Sequence, residues 1–161
     1  MNGFSRIGLA VVGSLVLASA SIAQAPPTLT PEQQAEQTAL TRQGLFKLQQ
    51  TYIWGPVAAM LRGAPFDAAV VVKSAQRLQV TAGLIPEVFA KDTHTFKLTT
   101  RAREGIWTNK SDFDSKANDL AKAAADLEAA AKTGDEAATR KAAGAVGKAC
   151  GACHDQFRDK I

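Results

Sequence analysis

Only two cysteines occur in the 161 residues, and both stand within the last twelve positions. A pair so close together cannot knit a disulfide framework across the chain. Histidine is as scarce: His94 and His154 are the two, and they share no paired spacing, so no His-rich metal tract exists. Aromatic residues make up 6% of the chain, and alternating β-branched runs are nearly absent. That argues against a sheet protein, while abundant alanine favours closely packed helices. The net charge is +4 with no run of Lys or Arg, so no nucleic-acid footprint is present. No Ser/His set, paired carboxylate or second histidine accompanies the cysteines, and nothing indicates an enzyme.

What is present near the C-terminus is Cys150-Gly151-Ala152-Cys153-His154. Cys-x-x-Cys-His is the sequence that attaches haem covalently in c-type cytochromes. Two thiols add across the two vinyl groups of one haem, so they must sit a fixed short distance apart. On a helix, residues three and four apart share a face, so Cys150, Cys153 and His154 can address one flat ligand. The imidazole of His154 then takes an axial position on the iron. Two other readings compete. A redox disulfide normally opens a helix after a strand, and no such pattern precedes this pair. Half of a closed zinc site would need a further ligand, and His94 lies in a different kind of segment.

The N-terminus carries the marks of a secretory leader. Arg6 precedes the apolar run 7–18, and Ser21-Ile22-Ala23 before Gln24 forms a small-residue cleavage site. The apolar run is shorter than the ~20 residues of a membrane span. Residues 1–23 are thus expected to be removed, leaving 24–161 with a net charge of +3 and no membrane attachment. Export and haem attachment agree, because bacteria attach c-type haem outside the cytoplasm.

Four helices are expected in the mature chain. Thr30 caps the first, with Pro31 at its first position and Gln33 completing a capping box. Ala35, Ala39, Arg42, Leu45, Phe46, Gln49 and Ile53 form its apolar stripe, to Tyr52 or beyond. Gly55-Pro56 should kink or break it before a last piece from Val57 to Leu61. Periodicity alone reads Arg42 as a charged residue snorkelling at the stripe's edge. A second helix is expected to open at Pro65, carry Ala69, Val72, Leu78 and Ala82 inward, and reach about Gly83, with Pro86 interrupting. Residues 87–101 read as a long connection tucked down by Phe89 and Phe96, with His94 exposed upon it. The third helix begins near Arg103 and bears Ile106, Phe113, Ala117, Leu120, Ala124, Leu127 and Ala131 at seven-residue repeats. Gly134 and Asp135 separate it from a fourth, whose expected inner face is Ala138, Ala142, Ala145, Val146, Ala149, Cys153 and Phe157. The fold class is therefore all-α: an antiparallel up-down four-helix bundle with one covalently bound haem c.

With these landmarks in order, the mature chain resembles the class II c-type cytochromes, and within them the cytochrome c' family. The resemblance rests on Arg42-Gln43 with Phe46-Lys47, on Gly63-x-Pro65-Phe66-Asp67, on Ala102-Arg103 before Ile106-Trp107, and on Gly147-x-x-Cys150-x-x-Cys153-His154-Asp155 followed by Phe157-Arg158. It implies that Arg42 meets a haem propionate, that Gln43 is a neighbouring haem contact, and that Phe46 covers the open side of the iron. It also implies that Arg158 borders the proximal face beside His154. Gly55-Pro56 and Gly105, where an acidic residue is common, depart from the family pattern.

The resemblance separates two types of iron site. Low-spin members supply a methionine from the first helix; high-spin members leave the sixth position empty behind an apolar side chain. The mature chain has one methionine, Met60, about five helical turns beyond Arg42. Five-coordinate iron with His154 as sole protein ligand is the expectation, acting in electron transfer or in binding NO or CO in the periplasm. The alternatives are a low-spin electron carrier using Met60 and a haem-free helical module that binds metal or a partner. A redox partner protein of unknown identity is implied, and family members often dimerise through their first two helices.

Overall fold

The computed structural model describes residues 28–160, so the leader lies outside the described residues. The first helical column starts as α1 (Pro31–Leu48), where Thr30 accepts from the Gln33 amide and the Gln33 side chain returns the bond. It widens into a π-helical segment (Gln49–Trp54) and continues as α2 (Gly55–Leu61). The second helix is α3 (Ala68–Val88). A long connection leads to the single turn α4 (Gly105–Thr108), and α5 (Lys110–Lys132) and α6 (Glu136–Phe157) follow. Among the described residues the only β pairing is an isolated antiparallel bridge between Ala102 and Arg158. The four long columns are the expected bundle.

The seam of α5 was legible in full: Phe113, Ala117, Leu120, Ala124, Leu127 and Ala131 are all buried, as is Ile106 on α4. In the first column Ala35, Ala39, Arg42, Gln49 and Ile53 are buried, and Leu45 and Phe46 pack half-buried on the core. Gly134 takes φ 76°, and Asp135 caps α6 by accepting from the Ala138 amide at 3.0 Å.

Several expectations are corrected. Gly55-Pro56 does not break the first column. Pro56 has no N–H for the carbonyl one turn back, and its ring crowds that carbonyl. The wider i→i+5 turn just before it absorbs both problems. It also brings Gln50 O so near Gly55 that a Cβ there would meet it at 3.2 Å, which suits glycine. Pro65 does not open the second helix. Gly63 stops the column with φ 106°, 64–67 carry no helix, and the extended Asp67 caps α3 by accepting from the Val70 amide at 3.1 Å.

Pro86 lies within α3 without interrupting it. So close to the helix end it removes a single bond, and buried Ile85 and Phe89 hold the last turn down. The inner face of α3 begins at Val71, two residues after Ala69: Val71 is buried, Val72 half-buried and Ala69 exposed, while Leu78 and Ala82 are buried as expected. Five successive apolar residues, 68–72, carry no phase of their own, and buried Ser74 and Thr81 disguise the true stripe. On α6 the buried set is Thr139, Ala143, Val146 and Phe157, whereas Ala138 and Ala145 are exposed. Alanine occurs on every face of that helix, so its periodicity is a weak guide.

Candidate functional site

The C-terminal half of α6 carries Cys150, Cys153 and His154 on one face, all half-buried, with both thiols free. The cysteines pack against the edge of the bundle core. Burial pushes both thiols above their ordinary value, partly offset by Arg158 at Cys150 and by Lys116 at Cys153. Such thiols are not activated as thiolates, unlike those of a redox-active disulfide. Among the described residues no group of three or more Cys, His, Asp or Glu side chains could hold a metal ion, so no partner set for a zinc site forms. His154 is pulled below its ordinary value by burial first, then by Arg158 and Arg101. A neutral imidazole with a free lone pair is the form that ligates iron.

The register of the bundle decides what stands across from this face. Near the far end of the first column, Arg140 of α6 donates from Nη1 to Met60 O at 2.6 Å. Phe46 lies fourteen residues before Met60, and His154 lies fourteen residues after Arg140. At ~1.5 Å per residue both are roughly 20 Å from that contact, the π segment shortening the first column slightly, so antiparallel columns carry Phe46 to about the level of His154. Arg42 and Arg158 are level by the same count. Here α1 and α6 make almost no close backbone approach, whereas α6 packs on α5 and α5 on α3. Phe46 leans on Phe89, ring centroids 6.1 Å apart, and borders the same core as the cysteines. Met60 is buried with Val57, Phe66 and Ala143, remote from His154.

Arg42 is 5% exposed, which is far more buried than a snorkelling side chain. Its Nε donates to Val88 O at 2.8 Å, Nη1 to Thr93 Oγ1 at 2.7 Å and Nη2 to Lys91 O at 2.5 Å. The guanidinium also lies 4.5 Å from the Phe89 ring centroid and 5.3 Å from that of Trp107. Burial lowers its pKa and Asp92 counters the shift. Its bonded acceptors are all uncharged, and two of its five N–H groups remain for an anion. Gln43 is exposed and donates to Thr99 O at 2.7 Å. Both residues thus hold the long connection onto α1.

Arg158 follows α6, exposed, its amide on His154 O at 3.1 Å. His94 is an exposed loop residue hydrogen-bonded to Asp92 at 2.8 Å. Gly105 lies against Phe157, where a Cβ would find ordinary contact at 3.8 Å, so space does not dictate its glycine. Sequence reasoning missed Thr93, the buried anchor for Arg42, because a threonine in a threonine-rich connection carries no periodic signal. It also missed the grip of Arg101 and Arg103 on the end of α6.

Two free thiols and a neutral imidazole on one face, a helix standing off from it, and a buried guanidinium with N–H groups to spare together fit a covalently bound haem. Comparison with known proteins agrees. Residues 37–158 match the family described as Cytochrome C'. Cytochrome c' of Rhodopseudomonas palustris is 34% identical over 65% of this chain and 70% of its own. A cytochrome c-554 of Cereibacter sphaeroides is 33% identical over 87% of this chain and 92% of its own. The crystal structure of cytochrome c' from Rubrivivax gelatinosus superposes with a TM-score of 0.68 at 33% identity, covering 78% of this chain and 97% of its own. A ferrous arginine-to-lysine variant of the Alcaligenes xylosoxidans protein with bound NO gives 0.69 at 30% identity, covering 79% and 97%. The chain belongs to the cytochrome c' family, c-type cytochromes whose cofactor is a covalent haem c.

Proposed function

We propose that this cytochrome is exported to the periplasm and holds one haem c with five-coordinate, high-spin iron, serving one-electron transfer, the binding of NO or CO, or both. Cys150 and Cys153 would hold the haem through thioether links, and His154 would be the sole protein ligand to its iron. Arg42 offers its two remaining N–H groups to a propionate, with Gln43 beside it. Arg158 borders the proximal face. When bound, the haem supplies a one-electron couple and a coordination site for a diatomic gas. The chain's own residues set access to that site. Phe46 offers no lone pair and no hydrogen bond, so water gains little by entering beneath it. A small uncharged gas can bind if the ring moves aside.

The observation that carries this reading is the register of the bundle, which brings Phe46, and not Met60, level with His154. The NO-bound state of the Alcaligenes xylosoxidans relative supports gas binding here. Nothing favours a catalytic role, and a redox partner protein is implied by electron transfer. The leader at 1–23 supports export, and no helix among the described residues is long and apolar enough to cross a membrane. The test is the visible and EPR spectrum of the ferric and ferrous protein, with and without CO and NO. High-spin spectra that respond to CO are expected; a sharp-banded low-spin ferrous spectrum without CO response overturns the reading.

A specific surface also supports a homodimer. Tyr52 (70% exposed) and Val80 (68%) flank a groove of about 500 Å³ between the first column and α3, shared with Leu48, Ile53 and Arg77. Burying the exposed Tyr52 and Val80 side chains against a second copy would remove their apolar surface from water. Sedimentation of the wild type as a dimer and of Val80→Glu as a monomer is the expected result.

A further inference from the structure

The strand-like segment 101–103 belongs to the long connection, yet its donors go to the end of α6. Arg103 N donates to Phe157 O at 3.1 Å, and Asp159 N returns a bond to Arg101 O at 2.9 Å. The Arg103 side chain reaches Asp159 Oδ1 at 2.9 Å, Asp155 O at 3.1 Å and Gln156 O at 3.2 Å. Arg101 donates from Nε to Asp159 O at 2.7 Å, with Nη2 on the same oxygen. A helix leaves its last carbonyls without partners and its C-terminus partly negative. Here two arginines from a distant segment fill that role in the turn directly after His154.

We propose that Arg101 and Arg103 are positioning residues for the axial imidazole. Resting on the haem reading above, they clasp 155–159, fix the orientation of the His154 turn, and keep the Arg101 charge on the proximal side. Arg101 is bonded to the backbone of Asp159, one residue beyond Arg158, whose amide donates to His154 O, so its charge is held at the end of the helix that carries His154. A positive charge near iron disfavours the ferric state, which carries one more positive charge than the ferrous. The clasp therefore biases the couple toward ferrous iron and restrains how the imidazole can turn.

The test uses the haem-loaded protein. Arg101→Gln keeps an amide donor for Asp159 O while removing the charge. It should shift the one-electron equilibrium roughly threefold to tenfold toward ferric iron, about 30–60 mV, and less in about 0.5 M salt. Arg101→Lys should restore the wild-type value. Arg103→Gln should move or broaden the iron–histidine stretching band of the ferrous protein, with helical circular dichroism unchanged; Arg103→Lys serves if the glutamine variant does not accumulate. Haem-loaded variants with wild-type potentials and an unaltered band overturn the clasp alone. A wild-type chain without covalent haem in denaturing mass spectrometry overturns the haem reading and the clasp with it.

Discussion

The guanidinium of Arg42 donates to the hydroxyl of Thr93 across 51 positions of sequence, and both side chains are buried. This bond pins the long connection to the first column at the level of Arg158. Removing the hydroxyl by Thr93→Val leaves a buried Arg42 N–H without its partner. A loss of about 1–3 kcal/mol in urea unfolding is expected, more than the near-neutral effect of Thr93→Ser. Equal stability of the two variants would show that Thr93 is not the anchor.

Phe46 can be converted from a lid into a ligand. In Phe46→Met a thioether takes the place of the ring level with His154, and the ferrous protein should become low-spin and lose most of its CO response. Phe46→Ala should instead remain five-coordinate and bind CO faster. Stopped-flow mixing with CO and optical spectra check both outcomes.

Met60 should be spectroscopically silent. It is buried among Val57, Phe66, Val71 and Ala143, remote from the haem motif. Met60→Leu conserves volume, so its cost should stay below about 1.5 kcal/mol. The ferric EPR spectrum should be unchanged, and loss of a low-spin signal on this substitution would place the thioether on iron.

The chain produced without haem should be most stable in a window near neutral pH. The folded-state pKa of His154 lies below its ordinary 6.5, so the unfolded chain binds more protons as pH falls through that region. The contribution of His154 is full above 6.5 and is lost as pH drops toward the folded value. Cys150 and Cys153 are raised above their ordinary 9.0, so their contribution is full below 9.0 and is lost as pH rises through their folded values. Urea midpoints at pH 5.5, 7.5 and 9.5 should peak at 7.5, and His154→Gln should flatten the acid side.

How far the structure could be read beforehand differed between helices for identifiable reasons. In α5 the large apolar residues Phe113, Leu120 and Leu127 recur every seven residues, which marks its inner face despite the alanines around them. In α3 the run 68–72 is apolar throughout and the stripe passes through Ser74 and Thr81, so the pattern points Ala69 inward although the fold exposes it. Thr81 is buried because its hydroxyl donates within its own helix to Arg77 O at 2.9 Å and accepts from Gln49 at 3.0 Å. Pro56 and Pro86 read as breakers because a local rule sees the missing N–H but not the packing that holds the helix on either side.

The sequence by itself determined the chemistry of this protein. The spacing of Cys150, Cys153 and His154, the capped helices and the seam of α5 are local, and one helical turn suffices to express them. What only the tertiary structure decided are the partners of those residues across the molecule. The π turn before Pro56, the Met60–Arg140 contact that carries Phe46 level with His154, the Thr93 anchor beneath Arg42 and the clasp of Arg101 and Arg103 all join segments distant in sequence. Hydrogen bonds of that kind depend on the register between packed helices, and no periodicity along a single helix encodes it.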